Sequence, residues 1–331
     1  MIVDVSGYSY SGKGAVMDIL RDFPTLHVHQ KEFEFLLIRS TDGLLDLRSA
    51  LIGSPSEIRS DMAIRRFLAL VQTLSSKRSS LSRPLSFFRP PGQNYSEIFP
   101  DFEEYSLSFV LSVSSISKEY WPFPSLYKSH LGSFMEKVGN VFSEPGMRMK
   151  FNSYLTCNNF DTLMNEYVRK VLFSEIPKQK DTVVTSNMLE VYSPVDFFKA
   201  VQPCKLIVVD RDPRGIFCSM PSQKSGLDNS SLAQDFVKRF RFQRSNKFIQ
   251  NLEHDNVLRV KFEEIFIDFS GFINKLSLFL EVPVPIEFNN FSRKTSIQNV
   301  RPWGPYKDTP GIKFLEKELP DFLLTDDQEV Y

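Results

Sequence analysis

The N-terminal end of the chain carries a strand, a glycine-bracketed loop and a helix in that order, and this unit constrains the fold more than any other segment. Ile2, Val3 and Val5 form a short apolar run that predicts a buried strand from Met1 to Ser6, and Ala15 to Leu20 is an apolar helical stretch. Between them stands Gly7-Tyr8-Ser9-Tyr10-Ser11-Gly12-Lys13-Gly14, which fits the pattern G-x-x-x-x-G-K. Glycines permit positive φ and close backbone approach, so successive N–H groups and the helix N-terminus can surround a phosphate while Lys13 adds a positive charge. Gly7 to Gly14, with Ala15 opening the helix, are therefore candidate phosphate-binding residues. The competing reading is a Gly-rich turn with an incidental lysine.

The position after the lysine narrows the ligand. Loops of the Walker A type that use ATP or GTP place Ser or Thr there to hold magnesium, whereas Gly14 has no hydroxyl. A nucleotide that needs no bound metal fits better, and no metal site is expected. Lys plus Arg equals Asp plus Glu at 40 each. No global field then favours nucleic acid or an anionic membrane, and an anion site must be local.

Leu26 to His29 predicts a second strand, continued by Lys31 to Leu37. From about residue 44 to 175 helical periodicity appears in Ile58 to Leu74 and Phe102 to Tyr120, broken by a Pro- and Ser-rich stretch from Ser75 to Gly92. This segment is expected to be a mostly helical insertion on the acceptor side, whose Trp121, Phe123, Tyr127 and Phe134 serve as core or line an acceptor groove. Strand-like runs return at Thr182 to Thr185, Lys205 to Val209 and Val257 to Val260, separated by helical segments such as Leu232 to Leu252. Strands alternating with helices imply a three-layer α/β/α fold around a mostly parallel sheet, within one domain spanning 1–331.

Cys157, Cys204 and Cys218 are widely spaced and have no metal-ligand pattern, as expected of buried thiols in a reducing compartment. The core-like strand at the start leaves no room for a signal segment, and no run approaches the roughly eighteen apolar residues of a membrane helix. A cytoplasmic protein with no integral membrane segment is expected, with its oligomeric state open.

A second strand-to-helix junction runs from Leu206 to Ser219. The apolar run Leu206 to Val209 delivers Asp210-Arg211-Asp212-Pro213 to the carboxyl edge of the sheet, where open α/β folds bind ligands. Pro213 suits a helix start, and Ser219 falls two turns along that helix, so a guanidinium and a hydroxyl can reach one phosphate. Alternatively Arg211 pairs with Asp212 or another carboxylate.

With these residues in place the chain resembles the sulfotransferase superfamily, whose members carry an N-terminal 5′-phosphosulfate loop and then a strand ending in R-[DN]-P with a serine eight residues after the arginine. Arg211-Asp212-Pro213 and Ser219 match that motif. Leu258 to Ile265, followed by Ile273 to Val282, resembles the family's later strand, turn and helix. Phe291 to Asn299, Trp303 and a terminal helix from Ile312 to Leu324 resemble the nucleotide-covering loop and last helix of bacterial members. The resemblance covers residues 1–38 and about 180–324. It differs in the first loop, where many members place the lysine at the position of Tyr10.

The resemblance implies 3′-phosphoadenosine 5′-phosphosulfate as co-substrate and adenosine 3′,5′-bisphosphate as product. Lys13 would stabilise the leaving phosphate, Arg211 and Ser219 would hold the 3′-phosphate, and Arg293, Lys294, Ser296 and Asn299 would clamp the nucleotide. Glycan-type members place a Glu in a K-E-x-x-F-like segment, which Lys31-Glu32-Phe33-Glu34-Phe35 resembles, so Glu32 is the leading general base and a glycan the leading acceptor. His29 and His27 are rival bases because imidazole titrates near neutrality. Glu263 and Glu264 are expected to orient backbone, and Trp303 either flanks the nucleotide or pins the last helix. Two alternatives stand beside this: a magnesium-dependent kinase or NTPase with Asp210 as the Walker B aspartate, and an inactive scaffold of the same fold.

Overall fold

The computed structural model describes residues 1–29, 33–76, 93–114, 119–120, 150–151, 159–198, 200–220 and 230–324. The strand expected at the N-terminus is β1 (Ile2–Gly7), and it forms the middle of a five-stranded sheet. Its partners are β2 (Leu26–Val28), β5 (Thr182–Ser186), β6 (Cys204–Asp210) and β7 (Val257–Lys261), in the order β2-β5-β1-β6-β7. Every pairing in this sheet is parallel. Parallel strands need crossovers, and these are helical: α1 (Lys13–Arg21) leaves β1, α7 (Pro194–Phe198) lies between β5 and β6, and α8 (Pro213–Ser219), α9 (Ser230–Gln243) and α10 (Asn246–Ile249) lie between β6 and β7. After β7 come α11 (Glu264–Ile267), α12 (Phe269–Leu280), the short α13 (Arg293–Ser296) and α14 (Pro310–Glu318).

Burial on both faces explains the apolar runs of β6 and of β1, the latter interrupted by Asp4 and Ser6. Val3, Val5, Ile207 and Val209 belong to one buried cluster with Val16, Ile19 and Leu20 of α1 and residues of α8, α9, α12 and α14. Ile2, Leu206 and Val208 are buried as well, and strand alternation puts them on the opposite face. A sheet covered on both faces has no solvent-facing side to show in its sequence.

Chain contacts divide the protein into two units, Met1–Arg39 with Leu172–Tyr331, and Ser40–Val171. The second holds α2 (Leu44–Arg48), α3 (Glu57–Ser75), α4 (Tyr95–Ile98), α5 (Phe102–Val113), a two-stranded antiparallel pair of β3 (Glu119–Tyr120) with β4 (Lys150–Phe151), and most of α6 (Phe160–Phe173). In α3 the buried side chains Ile64, Phe67, Val71 and Leu74 recur at helical spacing, and Ser56 caps the helix by accepting from the Arg59 amide at 3.2 Å. Phe109 stacks on Tyr167 with centroids 4.7 Å apart, and the buried Tyr167 hydroxyl meets Ser106 at 2.6 Å. No described helix is long and apolar enough to cross a membrane. Trp121, Phe123, Tyr127, Phe134 and Cys157 lie outside the described residues, whereas Cys204 is buried and Cys218 half-buried, both with free thiols.

Three predicted helices end early, each for a local reason. The helix starting at Phe102 stops at Val113, where the Ser112 and Ser114 hydroxyls turn back onto the carbonyls of Phe109 and Val110. The long helix predicted from Leu232 breaks after Gln243, because Arg244 turns inward to pair with Asp210. The terminal helix ends at Glu318, just before Pro320, which has no amide to continue it.

The central strand also carries a buried carboxylate. Asp4 has no exposed surface, and its oxygens accept from Thr185 Oγ1 (3.0 Å), Ser6 Oγ (2.5 Å) and the backbone amides of Met188 (2.9 Å) and Leu189 (3.0 Å). These bonds tie the chain leaving β5 to the strand beside it. Asp4→Ala orphans two buried amides, and urea denaturation is expected to show a loss of about 3 kcal/mol in unfolding free energy. A loss under about 1 kcal/mol would mean that water restores those bonds.

Candidate active site

Because β1 and β6 run side by side with Gly7 opposite Val209, the two loops that leave them are neighbours. Gly7 is confined by this pairing, since a Cβ there would stand 2.6 Å from the Val209 carbonyl oxygen and 2.5 Å from Ser11 Oγ. The loop then folds tightly, with the Ser11 amide donating to Tyr8 O at 3.1 Å and Tyr10 at a φ of 61°. Gly12 has a φ of 87°, and a Cβ on it would overlap the Phe262 ring at 2.4 Å. Only glycine satisfies both demands. Helix α1 starts immediately afterwards with no side-chain cap and no acidic residue in its first turn, so no carboxylate of that turn offsets its positive end. At Gly14, by contrast, a Cβ would meet nothing within 4 Å, so packing does not demand the missing hydroxyl.

One side of the loop faces a cleft of about 650 Å³. Lys13 reaches it and donates to Ser186 Oγ at 2.8 Å and Glu34 Oε1 at 3.3 Å. Burial lowers the Lys13 pKa, and the Glu34 carboxylate opposes that shift. Glu34 is also engaged by Asn187 Nδ2 and by Arg39 at 2.7 Å, while Arg39 Nη1 lies 3.9 Å from Glu190. Asn187 takes a left-handed turn at a φ of 49° directly after β5, and the Asp4 bonds to Met188 and Leu189 hold that turn. Glu190 and Tyr192 continue the cleft wall. Burial raises the Glu190 carboxyl, against the pull of Arg39.

The other side of the loop belongs to β6 and α8. Arg211 is 6% exposed, and its Nη1 donates to the Tyr10 carbonyl at 3.0 Å and Ser219 Oγ at 3.1 Å, while Nη2 donates to the Asn299 carbonyl. The guanidinium lies over the Phe262 ring at 5.1 Å and against Gly215, where a Cβ would stand 2.8 Å from Nε. Arg211 and Ser219 thus meet as their spacing implied. The pairing with Asp212 weighed for Arg211 falls instead to Arg214, which binds both Asp212 oxygens at 3.1 and 2.8 Å. Asp212 also caps α8 and accepts from the Leu324 amide at 2.7 Å.

Asp210 is occupied. Arg244 grips it with Nε at 2.9 Å and Nη2 at 2.6 Å, while the guanidinium lies between the rings of Tyr8 (3.9 Å) and Phe240 (3.5 Å). A carboxylate so paired is poorly placed to hold a magnesium ion as a Walker B aspartate. Glu263 and Glu264 orient backbone as the sequence suggested: Glu263 accepts from the Asp212 amide at 2.9 Å and Glu264 from the Lys261 amide at 2.8 Å.

Not every predicted residue joins the site. Glu32, with Lys31, lies outside the described residues. His29 is 6% exposed, packs edge-on to His27 (5.0 Å) and Phe33 (5.5 Å), and has its pKa pushed down to about 3, chiefly by burial. The two histidines share one strand face, and His29 does not line the cleft, which corrects its reading as a rival base. Arg293 donates to the Phe266 carbonyl at 2.9 Å over the Phe269 ring, Lys294 is exposed, and Ser296 is half-buried; none lines the cleft. Asn299 reaches Arg211 through its carbonyl rather than its side chain. Ala15 packs against the core, and its amide bonds Gly12 O at 3.0 Å. Trp303 is buried under the Arg214 guanidinium at 4.4 Å, and Arg214 in turn binds Glu316 of α14 at 2.9 Å, so it pins the last helix.

Glu34, Arg39, Asn187, Glu190 and Arg244 were not singled out from the sequence. A strand end after Ser186 was the available signal for Asn187 and Glu190, because parallel sheets gather ligands at such ends. Nothing local marks Arg39 or Arg244.

No family model matches the chain, and no curated protein does. Among solved structures, it is similar to the sulfotransferase domain of the Synechococcus PCC 7002 olefin synthase, at 12% identity and a TM-score of 0.37, covering 99% of this chain and 90% of that one. It is also similar to sulfotransferase STF9 from Mycobacterium avium, at 13% identity and a TM-score of 0.39, covering 99% and 77%. Retinol dehydratase, solved with androsterone and the inactive cofactor PAP, matches at 13% identity and a TM-score of 0.29, covering 99% and 71%. Likeness this weak carries no argument about what the chain does, which must rest on its own residues.

Burial raises the Glu263 carboxyl from its ordinary 4.5 to about 7. The folded protein therefore keeps a proton that the unfolded chain releases, and the stability tied to that proton is lost as pH rises through 7. Glu263→Gln keeps an acceptor for the Asp212 amide and cannot ionise. Urea denaturation should show the variant gaining on the parent between pH 4.5 and 7 and holding a constant advantage above that range. A difference that is flat with pH would contradict a buried ionisation there.

Proposed function

We propose that this chain is a sulfotransferase that moves the sulfuryl group of 3′-phosphoadenosine 5′-phosphosulfate to a hydroxyl or amine of an acceptor. The observation that carries it is the bond from Arg211 to the Tyr10 carbonyl, which sets the Arg211–Ser219 pair against the loop whose other side presents Lys13. A nucleotide with phosphate at both its 3′ and 5′ positions needs two anion sites flanking one loop, and a nucleoside triphosphate does not. The resemblance of the Arg211-Asp212-Pro213…Ser219 spacing to the sulfotransferase motif supports the same ligand.

The 5′-phosphosulfate would occupy the positive end of α1 beside Lys13, where loop amides and the ammonium stabilise charge gathering on the leaving phosphate. Arg211 and Ser219 would hold the 3′-phosphate. Sulfuryl transfer demands in-line placement more than covalent catalysis, and a rigid loop between two strands supplies placement. The kinase alternative is disfavoured by two features: Gly14 offers no hydroxyl although space exists for one, and Asp210 is held by Arg244. The glycan acceptor rests on the Lys31 to Phe35 segment alone, so glycans are the first acceptors to try.

Calorimetry with adenosine 3′,5′-bisphosphate in the absence of magnesium is the direct test. Arg211→Ala is expected to weaken binding by about tenfold or more, the cost of a lost charge-assisted bond. Lys13→Ala should cut turnover more than it cuts affinity in a mass-shift assay with a glycan panel. Magnesium-dependent ATP binding with no preference for a 3′-phosphate would instead establish the kinase reading.

A further inference from the structure

We propose that Glu190 is the catalytic residue that takes the acceptor's proton, with Arg39, which also anchors Glu34 beside Lys13, facing it at 3.9 Å. The proposal rests on the sulfuryl-transfer reading above and places on a described residue the role that the resemblance gives to Glu32, which lies outside the described residues. Attack on the sulfur requires the acceptor to lose its proton while an O–S or N–S bond forms. The S–O bond to the 5′-phosphate breaks with its electron pair leaving on the phosphate oxygen, and the proton passes to Glu190.

Geometry selects this residue from its neighbours. Among the described residues lining the cleft, the carboxylates are Glu34 and Glu190. Glu34 is committed on both oxygens: Lys13 and Asn187 hold Oε1, and Arg39 holds Oε2 at 2.7 Å. Accepting a proton there would break contacts that place Lys13. Glu190 is held more lightly, since Oε1 accepts from the Val191 amide at 3.1 Å and Oε2 stands 3.9 Å from Arg39 Nη1, beyond hydrogen-bond range. That oxygen retains lone pairs for a substrate proton. The other bases fare worse: burial raises the Tyr8 phenol to about 12 and also raises Tyr192, while His29 lies outside the cleft.

The surroundings of Glu190 act on its proton affinity in both directions. Burial raises its pKa, Arg39 and the amides of Val191 and Tyr192 pull it down, and the Asp4 carboxylate behind the wall pushes it up. Among the described residues, the other titratable groups lining the cleft are Tyr8, Tyr10, Lys13, Glu34, Arg39 and Tyr192. A carboxylate raised in this way gains proton affinity, which is what accepting a proton from the acceptor requires. The chain of charges Lys13, Glu34, Arg39 and Glu190 then links the group serving the leaving phosphate to the group serving the acceptor.

The test uses the full-length protein with water as acceptor, following release of adenosine 3′,5′-bisphosphate from the phosphosulfate donor by chromatography across a pH series. The parent should hydrolyse the donor at a rate that rises with pH through one ionisation. Glu190→Gln should lose that pH dependence and fall on the order of 100-fold, with affinity for adenosine 3′,5′-bisphosphate unchanged by calorimetry. Glu190→Asp, which keeps the carboxylate, should recover part of the rate and the pH limb. If Glu190→Gln binds nucleotide normally and hydrolyses donor at the parent's rate, the base assignment is overturned and the sulfotransferase reading stands. A parent that binds nucleotide but hydrolyses no donor above the uncatalysed rate also overturns it, since a poised base beside the loop would act on water. Failure of the parent to bind the nucleotide removes both.

Discussion

Parallel pairing of β1 on both of its edges is the constraint from which the site follows. A strand held by β5 on one side and β6 on the other cannot slip by one residue without turning Val3 and Val5 out of the core and Asp4 into it from the wrong face. Its end is therefore fixed in register with the ends of both neighbours. Gly7 comes level with Val209, and Val5 with Ser186, so the Gly7–Gly14 loop, the Arg211 turn and the Asn187 turn all leave the sheet at one edge. Open parallel sheets gather their chemistry at that edge for this reason.

Buried carboxylates then stiffen what the register has gathered. Asp4 holds the chain beyond β5, Asp210 holds Arg244 against the loop aromatic Tyr8, and Asp212 holds Arg214 and the C-terminal segment at Leu324. Asp210 and Asp212 stand at the end of β6 and Asp4 inside β1, and each is met by donors on both oxygens, the first two through arginine pairs and Asp4 through hydroxyls and amides. Such pairs add little net stability because desolvation consumes most of the attraction, but breaking one leaves an uncompensated buried charge. Their effect is positional. They fix the surroundings of Lys13, Arg211 and Glu190 in a protein whose overall charge is balanced.

The loop itself works as a partition. Its cleft side carries alternating charges from Lys13 to Glu190, and its other side carries Arg211, whose guanidinium is buried against Phe262 and Gly215. A planar cation buried against an aromatic face keeps its charge while losing its freedom to move, which favours a ligand of fixed shape over a generic anion. The same arrangement explains why Gly12 and Gly215 cannot be replaced freely. One yields space to Phe262 and the other to Arg211 itself.

Much of this was legible along the chain. The apolar run from Ile2, the glycines around Lys13, and an arginine and serine separated by two helical turns are local patterns, and local patterns survive in sequence because they are set by backbone conformation and helix pitch. The early helix ends at Val113 and Glu318 were partly legible too, from Ser112, Ser114 and Pro320, and were overrun by hydrophobic periodicity. What tertiary structure alone decided is which side chains face the loop from afar. His29 and Glu34 lie close in sequence, yet one turns into the core beside Phe33 and the other into the cleft beside Lys13. Arg39, Glu190 and Arg244 reach the site from three separate connections, and no spacing rule ties them to Lys13 or Asp210. Their partners are chosen by which strand ends the sheet brings together, and pairing between distant strands leaves no periodic trace in any single segment.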